Sequence, residues 1–399
     1  MDGSDSSYRE MGAAVGESIT RGDSPLHGDV LDLILSHVPL VDLVPASQVS
    51  RSWSSSVASS LHHLNRPKPW LVVHTQGRRS NSTVAVHAYD PRSGIWVKVV
   101  DLGLPTMKHF SAIRSSNSSL MYALSPSRLS FSVDPLNLTW HHVAGPSIWR
   151  ADPVVALVGS RIVVAGGACD FEDDPLSVET FDLGTSVWST CRPMPSILKD
   201  SSASTWLSVA VDQSRMYATE KGSGVTYSYD PERQEWSGPY DLKPDESVYH
   251  SVIVFSGDKL ILVGLTGSAE NFKSLKLWGV RSDLQEVEEI AEIPAELGED
   301  LKGQCSGVPS IAVCAGSDFM YIHSPSRPEN VMWYDMAAAT DGVDCRSKCE
   351  WGSVRNAAMT GTERMVFTCA SVGVAELEAA LAAGNRRFKV KERSPLLTH

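Results

Sequence analysis

The chain has 399 residues, of which 42% are hydrophobic and 21% are charged. This composition is typical of a soluble globular protein that can bury one or two large cores. The formal net charge is −12, and no continuous basic stripe offers a path for a phosphate backbone. No apolar run reaches the roughly 18 residues of a membrane span, and the N-terminus lacks a signal-peptide pattern. We therefore expect neither nucleic acid nor a membrane as a partner.

The cysteine content indicates a reducing compartment. Seven cysteines at irregular spacing suit free thiols better than a disulfide framework, so we expect the protein in the cytoplasm, the nucleus or both. Cys345 and Cys349, even with the distant His323, do not complete a tetrahedral zinc site. The Gly-x-Ser-x-Gly, Walker A and His-Glu-x-x-His motifs are absent. We expect no metal, no cofactor and no catalytic residues.

The first part of the chain divides into a polar leader and a short helical unit. Residues 1–23 are rich in Gly, Ser and Asp and have few large apolar groups, which predicts a disordered leader. Within residues 24–66, apolar residues recur at three- and four-residue steps, the period of amphipathic helices. Pro39 and Pro45 divide the pattern, because proline lacks an amide proton and disfavours helical geometry before it. We expect three short helices. A unit of about 40 residues cannot close an adequate core alone, so it must pack against something else.

From Trp70 the apolar period becomes two, which predicts β-strands in runs such as 70–73, 161–164 and 259–263. Within residues 67–392 an anchor recurs, consisting of an aromatic or apolar residue, an Asp, and a Trp six positions after the Asp. Its copies are Tyr89-Asp90 with Trp96, Val133-Asp134 with Trp140, Phe181-Asp182 with Trp188, and Tyr229-Asp230 with Trp236. Looser copies lie at Trp278 and at Tyr334-Asp335 with Trp351. The first four Asp positions are 44, 48 and 48 residues apart, a period expected of propeller blades.

The residue types of the anchor have a structural explanation. The Asp starts a tight turn and caps nearby amides, and the Trp opens the next strand and packs between blades. Upstream of the third copy, Gly166-Gly167 ends a strand. A hydrophobic strand, Gly-Gly, Tyr-Asp and a spaced Trp resemble the kelch repeat, over about residues 68–353, although the other copies lack the glycine doublet. The resemblance implies a mainly β fold, a kelch-type β-propeller.

The sequence allows two interpretations of the number of blades. Six anchors favour six blades, with residues 356–360 supplying the inner strand missing before Trp70. Alternatively, residues 355–390 form a degenerate seventh blade. Residues 393–399 are interpreted as a tail.

The helical unit resembles an F-box. The resemblance rests on residues 26–43, which begin Leu26-His27-Gly28, and on the later Val49-Ser50-Arg51-Ser52-Trp53. His27 stands where the family usually has Pro, and Pro45 interrupts the middle helix. A small all-α F-box followed by a kelch propeller resembles the plant F-box/kelch-repeat group.

This resemblance implies a non-catalytic, substrate-recognition adaptor of a Skp/cullin/F-box ubiquitin ligase. The apolar helical face would contact a Skp-type adaptor and, through it, a cullin scaffold. The predicted contact residues are Leu26, Val30, Ile34, Leu35, Pro39, Leu43, Val49 and Trp53. Alternatively, some of them, Trp53 foremost, pack inside the helical unit or onto the propeller. A second function, a kelch interaction scaffold not coupled to ubiquitination, stays open because of His27.

Loops on one face of the ring are the expected contact with the target protein. In a four-stranded antiparallel blade, the loop between the second and third strands lies on the same face as the link to the next blade. The predicted substrate-binding loop residues are Arg78, Arg79, Arg128, Trp149, Arg150, Arg192, Lys221 and Arg327. Arginine forks pair with carboxylates and phosphates, so we expect an acidic or phosphorylated protein substrate. The acidic residues 172–174 in an equivalent loop argue against a uniformly positive face, and residues 286–292 are interpreted as a solvated acidic strand.

Overall fold

The structure is a computed structural model. It describes residues 28–77, 84–101, 112–134, 136, 139–168, 174–198, 203–305, 307–336, 350–359, 363–382, 386–393 and 397–398. The predicted leader (residues 1–23), Leu26, His27, Arg78 and Arg79 lie outside these described residues, as do the two cysteines considered as zinc ligands.

Three helices open the described chain, which confirms the helical prediction. They are α1 (Asp29–Ser36), α2 (Leu40–Ser47) and α3 (Arg51–Ser59), and a short π-helical segment, Ser60–Leu64, follows α3. Pro39 directly precedes α2, and Ser50 caps α3 by accepting a hydrogen bond from the Trp53 amide at 3.2 Å. Pro45 lies in the last turn of α2, so the helix continues only two residues past the hydrogen bond that this proline cannot donate.

The first half of the propeller contains blades one to three. Its strands are β1 (Trp70–Gly77), β2 (Val84–Asp90), β3 (Ile95–Asp101), β4 (Met121–Ser125), β5 (Arg128–Ser132), β6 (His141–Ala144), β7 (Val154–Val158), β8 (Arg161–Ala165), β9 (Val178–Asp182) and β10 (Val187–Cys191). In blade two, an antiparallel bridge between Arg114 and Tyr122 takes the place of the innermost strand. A short helix, α4 (Ala203–Trp206), leads into blade four.

The second half contains blades four to six and the segments that return to blade one. Its elements are β11 (Leu207–Val211), β12 (Met216–Glu220), β13 (Val225–Asp230), β14 (Glu235–Asp241), β15 (Val248–Ser256), β16 (Lys259–Gly267), β17 (Phe272–Val280), β18 (Val287–Glu292), α5 (Ala295–Lys302), β19 (Ala312–Gly316), β20 (Phe319–Ser324), β21 (Arg327–Asp335), β22 (Glu350–Arg355), β23 (Glu363–Ala370), α6 (Val374–Ala382), β24 (Arg386–Arg393) and β25 (Leu397–Thr398). Strands β11–β14, β15–β18 and β19–β22 form three successive blades. The acidic strand β18 is mostly exposed, and Lys276 pairs with Glu289 at 3.0 Å.

The ring closes through a strand from near the C-terminus. β23 lies antiparallel to β1, with Ala370 opposite Trp70 and Glu363 opposite Gly77, so it is the innermost strand of blade one. The six-blade prediction is confirmed. The prediction that residues 356–360 supply this strand was wrong, because the chain leaves the outer strand β22 at Arg355 and needs a link to reach the inner position. A seventh blade does not form, since β24 pairs with the outer edge of β3 instead.

The repeated anchor is a cross-strand aromatic pair closed by an Asp turn. Tyr89 lies directly opposite Trp96, and Phe181 opposite Trp188, with ring centroids 5.4 and 5.2 Å apart. In the turn between them, Asp182 Oδ1 accepts hydrogen bonds from the next backbone amides, Gly184 N at 2.9 Å and Thr185 N at 2.8 Å. The same pairing recurs at Tyr229 with Trp236 and at Tyr334 with Trp351. In blades one, three and four the fixed Asp-to-Trp spacing therefore sets the register of the two outer strands, whereas in blade two Val133 and Trp140 lie outside β5 and β6.

The three helices have no separate core. Buried Leu31, Leu35, Leu43 and Val57 pack in one cluster with apolar residues of blade one, of blade two and of α6. The members from the propeller and α6 are Trp70, Val72, Val86, Ala88, Val99, Ile113, Met121, Leu136, Val372 and Leu377. The prediction that so small a unit must pack against a neighbour is thus met within the same chain.

One turn of the propeller clamps the helices. Arg92, in the turn after β2, is 8% exposed, and its guanidinium donates hydrogen bonds to the carbonyl oxygens of Leu35 and Ser36, both at 2.9 Å, and of Asn65 at 3.0 Å. A further bond reaches the Val38 carbonyl. The last carbonyls of a helix have no intrahelical donor and carry its partial negative charge. Arg92 therefore satisfies the C-terminal end of α1.

The Asp of the first anchor completes this contact. Asp90 is fully buried, and its carboxylate accepts hydrogen bonds from the Arg92 amide at 3.0 Å, the Ser93 hydroxyl at 2.6 Å and, more weakly, the Leu40 amide at 3.5 Å. Leu40 begins α2, so a negative charge faces the positive end of that helix. Burial nevertheless raises the pKa of the Asp90 carboxyl. Elsewhere in the repeat, the equivalent Asp182 accepts hydrogen bonds from its own turn and pairs with Arg161 at 3.4 Å, and Asp230 accepts a hydrogen bond from the Glu232 amide of its own turn.

These contacts define two ends of the propeller. The helical face carries the turns between third and fourth strands, including Arg92, together with the three helices. The mouth face is the opposite end, with the links between blades and the loops between second and third strands.

The buried anchor tryptophan should be a principal source of propeller stability. We expect Trp96→Ala to lower the free energy of unfolding by about 3–5 kcal/mol, because it removes a fully buried ring from the contact with Tyr89. Urea denaturation followed by circular dichroism measures the change. Trp206→Ala is the matched control, because that ring is half exposed, and equal losses in the two variants would contradict the assignment.

Removing the Arg92 guanidinium should loosen the helices from the propeller. We expect Arg92→Ala to cost about 3 kcal/mol, because several buried carbonyls lose a charged donor, and to speed amide exchange in α1 and α2. Hydrogen–deuterium exchange with mass spectrometry reports on both helices. Arg233→Ala, at a largely exposed position in the corresponding turn of blade four, should leave exchange in α1 and α2 unchanged. Unchanged protection in the Arg92 variant would show that the clamp is dispensable.

Candidate functional site

An apolar stripe on the helices faces solvent. Val30, Leu33 and Ile34 on α1 are 60%, 55% and 45% exposed, and Val49, before α3, is 62% exposed. Residues three and four apart share one side of a helix, so the α1 residues form a continuous surface. Large apolar side chains grouped on a surface mark an interaction site more often than scattered ones do. This group, Val30, Leu33, Ile34 and Val49, is called the helical stripe below.

The predicted adaptor contacts divide between this stripe and the core. Val30, Ile34 and Val49 belong to the stripe, whereas Leu35 and Leu43 are buried beneath it. Pro39 and Trp53 are partly buried, and Trp53 packs against the shared core, as the alternative interpretation of that residue expected. Leu33 was missed, although its three-residue spacing from Val30 was a usable signal.

The predicted loop residues at the mouth face are either exposed to solvent or hydrogen-bonded to the backbone. Arg128 at the start of β5, Arg192 after β10, and Trp149 in the link before blade three are all exposed. These three are available to a partner. Arg150, Lys221 and Arg327 instead donate hydrogen bonds to backbone carbonyls, which corrects their expected placement as free cations.

Arg150 departs most clearly from its predicted placement in a substrate-binding loop. Its side chain is 1% exposed, and the guanidinium pairs with Glu179 Oε2 at 3.1 Å and donates to the carbonyls of Gly166 and Ser177 at 2.9 and 2.8 Å. Burial alone would raise the pKa of Glu179, but hydrogen bonds from Ser147 and Arg150 outweigh burial and lower it. Arg150 therefore fixes the loop that begins with the glycine doublet. Its guanidinium group is therefore not available to bind a substrate.

The other two cations hold links between elements. Arg327 donates to the carbonyls of Lys302 and, at 3.3 Å, Gly307, which ties the segment after α5 to blade six. Lys221 Nζ donates to the carbonyl of Thr205 at 2.8 Å, in the short helix that leads into blade four. Loops leave backbone carbonyls without partners, and long cationic side chains satisfy them.

A central channel opens at the mouth face. Its cavity volume is about 850 Å³, and the walls come mainly from the innermost strands of the blades. Each blade contributes one Arg, Lys, His or Asp side chain, and in blade order these are Arg364, Arg114, Asp152, Lys221, His250 and His323. Only Lys221 was predicted from the sequence. The others lie on or next to inner strands, where the repeat alignment does not distinguish channel-facing positions.

The channel residues differ in how they are paired. Arg114 forms an ion pair with Asp152, whose other oxygen accepts a hydrogen bond from the Thr205 hydroxyl at 3.0 Å. Burial lowers the pKa of His250 to about 4 and of His323 to about 3, so both rings are neutral near pH 7. Within the described residues no group of three His, Cys, Asp or Glu side chains converges as metal ligands, and none of the helices there is long and apolar enough to span a membrane.

Comparison with known proteins agrees with this architecture. The F-box domain model matches residues 26–64, which include all three helices. An F-box/kelch-repeat protein of Arabidopsis thaliana is 41% identical over 373 residues, which cover 90% of this chain and 93% of the relative. Proteins of this kind are in general non-catalytic adaptors. On the combined match of the helical domain, the six-bladed ring and the full-length relative, the chain belongs to the F-box/kelch-repeat protein family.

Proposed function

We propose that this protein is the substrate-recognition subunit of a Skp/cullin/F-box ubiquitin ligase. The helical stripe binds a Skp-type adaptor, which connects the chain to a cullin scaffold, and the mouth face of the propeller binds the target protein. The observation that carries the proposal is the exposure of Val30, Leu33, Ile34 and Val49 on a domain whose other large apolar residues, apart from the exposed Leu64, are buried or partly buried. Covering this surface would provide hydrophobic stabilisation to a complex.

The position of the helices supports simultaneous binding of both partners. The F-box packs on one face of the propeller through the shared core and Arg92, and the channel and variable loops open at the other face. A bound adaptor therefore does not compete with a bound target. The chain itself needs no catalytic group in this role, because ubiquitin transfer belongs to other subunits.

The proposal also covers the target and the compartment. Exposed Arg128 and Arg192 at the mouth face favour a target segment with carboxylates or phosphates, and the neighbouring Trp149 offers a large aromatic contact. The described cysteines, Cys191, Cys305, Cys314 and Cys369, are all free thiols, which supports a cytoplasmic or nuclear location.

Placing charges on the helical stripe should abolish adaptor binding. We expect the double variant Val30→Asp/Ile34→Asp to weaken binding to a Skp-type protein by about a hundredfold or more, because two carboxylates would be buried without partners. Co-purification and surface plasmon resonance measure the loss, and ubiquitination of bound targets should fall with it.

Val187→Asp/Ile290→Asp is the matched control, since both residues are exposed apolar side chains on propeller strands. This control should bind as the parent does. Failure of the parent chain to bind any Skp-type protein would contradict the proposal and would favour a kelch scaffold that acts without ubiquitination.

A further inference from the structure

The channel has a charge opposite to that of the chain. Arg114, Lys221 and Arg364 line it together with one carboxylate, Asp152, whereas the whole chain has a net charge of −12. Asp152 is already paired with Arg114. Among the described residues, neither Lys221 nor Arg364 has a carboxylate within ion-pair distance. Within that part of the chain, two positive charges of the channel wall are therefore left without a counterion, which favours the binding of anions.

The charged form of the Lys221 side chain is disfavoured by burial. Burial lowers the pKa of its amine, and the field of Asp152 offsets this only in part. Two of its donated hydrogen bonds go to neutral carbonyl oxygens, those of Thr205 at 2.8 Å and Ser204 at 3.4 Å. An ammonium group has three protons, so one remains for a ligand. An anion at this position would replace the hydration that the amine has lost.

The same channel contains buried polar atoms without partners. His323 is 5% exposed, its ring stacks on Phe367 with centroids 3.8 Å apart, and its Nδ1 has no hydrogen-bond partner among the described residues. His250 Nε2 is also buried without a partner there, and Lys221 is close enough to help lower the pKa of that ring. Buried polar atoms are normally satisfied, and a neutral imidazole can donate one hydrogen bond and accept another.

We propose that the channel binds a small oxygen-rich anion, a molecule with carboxylate or phosphate groups and hydroxyls, whose anionic oxygens lie at Lys221 and Arg364 and whose other oxygens bond the two imidazoles. The volume of about 850 Å³ lies in the range usual for small-molecule sites. Phe367, Val366 and Met365 on β23 offer an apolar wall for the carbon skeleton. The site belongs to the propeller and does not depend on the adaptor function proposed above.

The test is isothermal titration calorimetry on the full chain with two probes, citrate for carboxylates and inorganic pyrophosphate for phosphates. At least one probe should bind with a Kd below about 1 mM, and Arg364→Ser should weaken it by about tenfold or more, because a charged hydrogen bond is lost. Arg364 is exposed and, within the part of the chain that the structure describes, its side chain holds no loop, so this variant should fold normally. Lys221→Met should weaken binding in the same way.

Arg233→Ser is the matched control, because this arginine is largely exposed and does not line the channel. It should leave the Kd unchanged. Absence of binding by both probes would overturn the proposal, and so would equal weakening in the Arg233 and Arg364 variants, which would indicate diffuse surface attraction. Binding of an oligoglutamate peptide without binding of either free anion would also overturn it, in favour of a segment of the target protein.

Discussion

The pairing of β23 with β1 is the interaction on which the rest of the structure depends. It joins a strand from near the C-terminus to the first strand of the ring, and so holds the two ends of the propeller in one blade. Trp70, where β1 begins, lies opposite Ala370, where β23 ends. The segments before β1 and after β23 therefore emerge at the same face, which brings α2 against α6 and lets Ser47 donate a hydrogen bond to Glu378 at 3.4 Å.

The F-box depends on this closure for its core. Its buried leucines complete a cluster to which blade one, blade two and α6 all contribute. Arg92 and Asp90 then fix the orientation, because they engage the C-terminal end of α1 and the N-terminal end of α2 with opposite charges. The helical stripe and the mouth face are separated by the length of the strands, roughly 20–25 Å for six or seven residues. A rigid spacer of this kind allows two partners to be bound at once.

Several cationic side chains of the mouth face stabilise the loops of the propeller. Arg150, Arg327 and Lys221 lie in loops and links that leave carbonyl oxygens without backbone donors, and each satisfies some of them. The number of cationic residues in the loops is therefore larger than the number whose charge is available to a partner. Among the described residues, cationic side chains without a carboxylate partner also line the channel, at positions contributed by different blades.

The sequence by itself determined the helical unit and the aromatic pairs of blades one, three and four, because these follow from local periodicity and a fixed Asp-to-Trp spacing. It favoured six blades but left a seventh open. The spacing sets the cross-strand register of Tyr89 with Trp96 without reference to distant residues. Only the tertiary structure decided which strand closes the ring, which arginines are free, and which residues face the channel. Each of these depends on contacts between residues far apart in the chain, such as Arg92 with α1 and β23 with β1, and local patterns contain no information about such pairs.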